Sequence, residues 1–97
     1  MRRVRKALPR IKITQRRFYM FKRNILVGTI DNAKKLCNIC THSEYDIDLV
    51  SGRYVIDAKS IMGIFSIDLS KVVEIHIHTE DEEAANNFFE LLGKMVK

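Results

Sequence analysis

The sequence predicts a small α+β domain whose elements run βαββαβα. Three observations carry that reading. Residues 45–50 and 53–58 alternate apolar and polar side chains on either side of Ser51-Gly52, the pattern of a β-hairpin. Residues 71–78 alternate again and run straight into a segment with helical spacing. A second helical stripe, Ala33, Leu36, Cys37 and Cys40, follows an extended apolar run near the start of the chain.

Residues 1–17 lack apolar periodicity and Pro9 interrupts any helix there, so they read as disordered. They also hold the charge asymmetry. Residues 1–19 carry eight Lys or Arg and no acid, whereas residues 20–97 carry nine bases against twelve acids. The net charge of +5 is therefore a basic tail on a mildly acidic body. At face value such a tail is an electrostatic footprint for nucleic acid or anionic lipid. It has a blander reading as translated leader. Gln15-Arg16-Arg17-Phe18-Tyr19-Met20 is what CAR AGG AGG TTY TAY ATG encodes, a purine-rich ribosome-binding site, a spacer and a start codon. The expected division is a basic tail or leader over 1–19 and one domain over 20–97.

Residues 18–27 (FYMFKRNILV) read as the first strand, ended by Gly28. Thr29 or Asp31 caps a helix that runs to about Thr41. In the hairpin, Ile47 and Leu49 with Tyr45 face inward, as do Tyr54 and Ile56, while Asp46 and Asp48 face out. A short helix runs from Ser60 to about Ile67. In the last strand Val73, Ile75 and Ile77 point inward and Glu74, His76 and His78 outward. Thr79-x-x-Glu82 reads as a capping box for a final helix, with Ala85, Phe88, Phe89, Leu92 and Met95 or Val96 as its buried stripe.

Several function classes are disfavoured. No apolar run approaches the ~20 residues of a membrane helix, and no apolar h-region follows the basic N-terminus. Two cysteines without secretory context imply reduced thiols and a cytoplasmic protein. Cys37-x-x-Cys40 lies late in a helix, within its buried stripe, so it reads as core rather than as a redox, zinc or haem motif. His42 complements the C-terminal dipole of that helix. His76 and His78 read as part of a cross-strand charge ladder rather than a metal site. Neither metal nor cofactor is expected.

The remaining signal is Lys59-Ser60-Ile61-Met62-Gly63-Ile64, which follows the strand pair YDIDLVSGRYVIDA. A serine stands where a strand gives way to a short helix, and Ile61, Met62, Ile64 and Phe65 are more apolar side chains than so short a helix buries easily. Over roughly residues 20–96 the chain resembles the HPr family, the small phosphocarriers of the bacterial sugar phosphotransferase system. The KSIMG segment and the preceding DIDL strand carry the resemblance most specifically. It implies an open-faced β-sandwich, a four-stranded antiparallel sheet with three helices on one face, in a cytoplasmic bacterial protein. It implies a regulatory phosphorylation site at Ser60 and partner docking through Ile61, Met62 and Phe65. Gly63 would let a partner approach that helix closely.

The family carries its phosphoryl group on a histidine in a G-[IL]-H-A-R-P-A motif. Aligned on Ser60 without gaps, the corresponding residues here are Val27-Gly28-Thr29-Ile30-Asp31-Asn32-Ala33. Thr29 occupies the histidine position and Asp31 the arginine position, with no histidine within ten residues. Phosphohistidine suits a relay because its P–N bond is labile and imidazole is nucleophilic near neutral pH. A threonine would form a stable ester, and an aspartate in place of the cation would repel the incoming phosphate. The expectation is thus a non-catalytic regulatory or protein-binding relative. Its partners by analogy are an HPr kinase/phosphorylase and a LacI-type transcription regulator. The competing readings are a working carrier with an atypical acceptor, and nucleic-acid binding through the basic tail.

Overall fold

The computed structural model describes residues 20–97. The reading of residues 1–19 as tail or leader lies outside the described residues, as does the expected start of the first strand at residue 18. The elements are β1 (Met20–Ile25), α1 (Ile30–Thr41), β2 (Asp46–Ser51), β3 (Tyr54–Asp57), α2 (Ile61–Phe65), β4 (Val73–His78) and α3 (Glu82–Leu92), closed by a 3-10 turn at Gly93–Met95. This is the expected α+β order. The four strands form one antiparallel sheet in the order β1-β4-β2-β3.

Alternation decides which face is buried. Ile25, Ile47, Leu49, Val73, Ile75 and Ile77 are buried beneath the helices, where they meet Leu36 and Cys40 of α1, Ile64 of α2, and Phe88, Phe89 and Leu92 of α3. Each fully buried aliphatic side chain of this kind contributes about 1.5–3 kcal/mol of transfer free energy. The other face carries Lys22, Asn24, Glu74, His76, His78, Asp46, Asp48, Val50, Val55 and Asp57, and no helix of the described residues lies over it. The result is the open-faced sandwich.

The ends of the elements depart from the sequence reading in instructive ways. β1 stops at Ile25 rather than residue 27, because Leu26 N donates to Met95 O (2.8 Å) and Gly28 N to Leu69 O (2.8 Å). The next donors are thus used on the C-terminal turn and the loop before β4. The C-terminus returns the contact, with Lys97 N donating to Asn24 O. Tyr54, expected inside, is 71% exposed. It opens the four-residue edge strand β3 beside the turn, whereas α2 covers only the Ile56 end, through Gly63. At α3 the expected capping box does not form. Asp81 is the N-cap, accepting from Ala84 N, while the buried Thr79 accepts from Asp81 N and fixes the approach. Two carboxylates, Glu82 and Glu83, then occupy the first turn, where the dipole favours them. The predicted stripe Ala85, Phe88, Phe89 and Leu92, with Met95 beyond it, is buried as expected.

Candidate functional site

Two helix starts hold the residues singled out by the sequence. At the first, Thr29 has an extended backbone and its Oγ1 accepts from Asn32 N (3.1 Å), so Thr29 rather than Asp31 is the cap of α1. Asn32 Nδ2 in turn donates to Val27 O (2.8 Å), locking the loop against the helix. Asp31 is an exposed first-turn acid. Ile30, at the first helical position, is 59% exposed, an apolar surface residue that the sequence reading missed. Its signal was weak: the helical stripe begins only at Ala33, which left Ile30 outside any pattern.

At the second start, Asp57 O accepts from Ser60 N (3.0 Å) and Asp57 Oδ1 from Lys59 N (2.9 Å), a tight turn that brings the chain off β3. Ser60 is exposed, with Oγ accepting from Gly63 N (3.2 Å) and its carbonyl from Ile64 N. The helix it caps is one turn and a half long. Ser66 stops it by folding its hydroxyl back onto Gly63 O, three residues earlier, so the expected extension to Ile67 does not occur. Within α2 the apolar residues divide. Ile64 is buried in the core and Ile61 half-buried, while Met62 is 74% and Phe65 40% exposed.

Gly63 has a role different from the expected one. A Cβ placed on it would lie 2.5 Å from Ile56 Cγ2. Its missing side chain lets α2 settle on β3, and the close approach is internal to the molecule.

The turn before Ser60 is tied to α1. Cys37 Sγ donates to Lys59 O (3.4 Å), and Lys59 Nζ donates to Ser43 O (3.0 Å) just beyond the helix end. Cys40, one turn on, is fully buried, and desolvation followed by the neighbouring Cys37 pushes its thiol pKa up to about 12. It is an inert core thiol, as expected, whereas Cys37 is only partly buried. His42 caps the C-terminus of α1 and donates from Nδ1 to Asn38 O (2.7 Å).

On the open face β4 lies between β1 and β2, which puts the histidines beside the expected acids. His78 bonds Asp48 through Nε2 (2.9 Å), and His76 bonds Glu74 on its own strand (2.8 Å). The bond from His76, and then the charge of Lys22, hold the Glu74 carboxyl below its ordinary pKa. Among the described residues no group of three or more His, Cys, Asp or Glu side chains is arranged to hold a metal ion. No helix of the described residues is long and apolar enough to cross a membrane.

Fold order, helix-start hydroxyls and the KSIMG helix together define an HPr-type scaffold. The family model described as the PTS HPr component phosphorylation site matches residues 30–96. The chain belongs to the HPr family of the phosphotransferase system, whose members are phosphocarriers that interact with the other proteins of that system. The match opens at Ile30, one residue past the helix cap, so Thr29 stands just outside it. None of the curated proteins matches the chain.

Proposed function

We propose that this chain is a regulatory member of the phosphotransferase system that has given up phosphoryl relay and acts through Ser60 and the apolar helix behind it. The observation that carries the reading is the environment of Ser60. Its hydroxyl is exposed, already directed at the backbone N–H of Gly63, and followed within one turn by the exposed Met62 and Phe65. Phosphorylation there adds about −1.5 to −2 charge and three acceptor oxygens at a helix start, where the dipole tolerates an anion. The backbone would need little adjustment. The external effect is larger, since a dianion now borders an apolar docking patch and changes which partner fits.

The relay itself requires a labile acceptor. Thr29 Oγ1 serves as a helix cap, and its phosphate ester would be too stable to pass on. Asp31 could form an acyl phosphate, but it puts an anion at the position of the family's arginine, where the donor phosphate must approach. The partners are then an HPr kinase/phosphorylase that modifies Ser60, and a transcription regulator that reads the modified helix. The reaction is a bacterial cytoplasmic one, using ATP as phosphoryl donor.

Incubation of the full chain with ATP and an HPr kinase/phosphorylase tests this directly. The expected result is one acid-stable phosphoryl group, mapped to Ser60 and absent from Ser60→Ala. An unmodified chain, under conditions that modify a conventional HPr, would remove Ser60 from the account.

A further inference from the structure

The face of the sheet that no described helix covers carries an ordered charge pattern that neither the switch nor the core explains. In one cross-strand row the residues are Lys22 on β1, His76 on β4, Asp48 on β2 and Asp57 on β3. Within this row the bases stand on β1 and β4 and the acids on β2 and β3, while Glu74 in the next row lies on β4 and bonds His76. Asp48 and Asp57 are directly opposed within the chain, an arrangement that by itself disfavours the sheet. Asp48 is partly relieved by His78 Nε2 (2.9 Å), and Asp57 by Lys59 N (2.9 Å).

We propose that this face is a homodimer interface, with a second copy of the chain packed on it about a two-fold axis running nearly parallel to the strands. Such an axis reverses strand order and keeps each row in register. Lys22 of one copy then faces Asp57 of the other, and His76 faces Asp48. The row reads base, base, acid, acid, so it is complementary to its own reversal. A two-fold axis across the strands would instead set Lys22 against Lys22 and Asp57 against Asp57. The charges therefore select one operator out of the two that close a face-to-face pair. Packed sheets of this kind stand ~10 Å apart with strands about 30° from parallel, a spacing that one layer of side chains from each copy fills. The neighbouring row, Asn24, Glu74, Val50 and Val55, brings Val55, which is 66% exposed, under the partner's β1.

The size of the face sets the strength. Four strands at ~4.8 Å and five or six residues at ~3.4 Å give roughly 400 Å² per copy, about half of what a standard stable interface buries. The dimer is thus weak and reversible, with a dissociation constant on the order of 0.1–1 mM.

Sedimentation equilibrium of the full chain up to about 2 mM tests it, with charge swaps as the discriminator. Lys22→Asp or Asp57→Lys alone is expected to weaken association about tenfold or more, because two symmetric pairs become repulsive in each dimer. The combined K22D/D57K chain is expected to recover it. Within one chain these residues sit three strands apart, roughly 14 Å, beyond the ~8 Å screening length, so recovery requires contact between copies. A zero-length carbodiimide cross-link gives a second reading without any substitution, with Lys22 joined to Asp57 between two copies as the expected product. A chain that stays monomeric to 2 mM would overturn the proposal. So would an association that the combined swap fails to restore while circular dichroism shows each variant folded.

Discussion

Replacing Gly63 with alanine pits two well-characterised effects against each other. Inside a helix, Gly→Ala ordinarily stabilises by about 1 kcal/mol through backbone entropy. Here the new methyl would lie 2.5 Å from Ile56 Cγ2, and that carbon belongs to a β-branched side chain held between α2 and the sheet. It is not the loose end of a flexible chain, so relief requires either an off-rotamer Ile56 or displacement of α2. Overpacking of this sort costs about 1–3 kcal/mol. The net expectation is a destabilisation of about 0–2 kcal/mol, with the entropic gain more than cancelled. Urea unfolding at 25 °C followed by circular dichroism measures it. The diagnostic quantity is the coupling with Ile56→Ala, which removes the obstructing methyl. The G63A/I56A cycle should show about 1–2 kcal/mol of favourable interaction, since alanine at 63 is harmless once Cγ2 is gone. A G63A variant stabilised by a full ~1 kcal/mol, with no coupling to position 56, would refute the reasoning and return Gly63 to the role of admitting a partner.

Further expectations follow from the same structure. Asp81→Ala should cost about 1 kcal/mol in a thermal or urea melt, as loss of the α3 cap, and Glu82→Ala distinctly less, because no capping box forms. Native protein should react with a thiol reagent at Cys37 only, with Cys40 becoming reactive on unfolding; equal rates at both would contradict the burial of Cys40. The Cys40 thiol is raised from 9.0 to about 12 in the folded chain, so its contribution to stability is fully present below pH 9 and is lost as pH climbs from 9 towards 12. A Cys40→Ala variant should therefore show a flatter alkaline limb in a stability profile than the parent. Ser60→Ala should cost about 0.5–2 kcal/mol, since it leaves Gly63 N without its side-chain acceptor.

Much of this fold was legible because alternation and helical spacing are local consequences of burial. The inward triplet Val73, Ile75, Ile77 and the stripe through Phe88 and Leu92 needed no tertiary information. Tyr54 failed for the opposite reason. Alternation assigns a face but not how far the helix layer extends, and α2 stops short of the edge-strand turn. The cap of α3 failed because both Thr79 and Asp81 suit that position; the choice fell to Asp81 once Thr79 was buried at the strand end. The candidate site was read as residues but not as geometry. Ser60 as a cap was visible, but the internal contact that demands Gly63, and the thiol tie from Cys37 to Lys59, join residues far apart in sequence. The open face shows the same limit. Its acids and histidines were visible singly, but the row from Lys22 to Asp57 exists only once four strands are in register.

The most direct test of the central claim is the intact mass of the full chain after incubation with phosphoenolpyruvate and enzyme I of the phosphotransferase system. On the proposed regulatory role the mass stays unchanged, because Thr29 Oγ1 serves as a helix cap and Asp31 would repel the donor phosphate. A gain of one acid-labile phosphoryl group would contradict it, and mapping that group would identify the residue that carries the phosphoryl in place of the histidine.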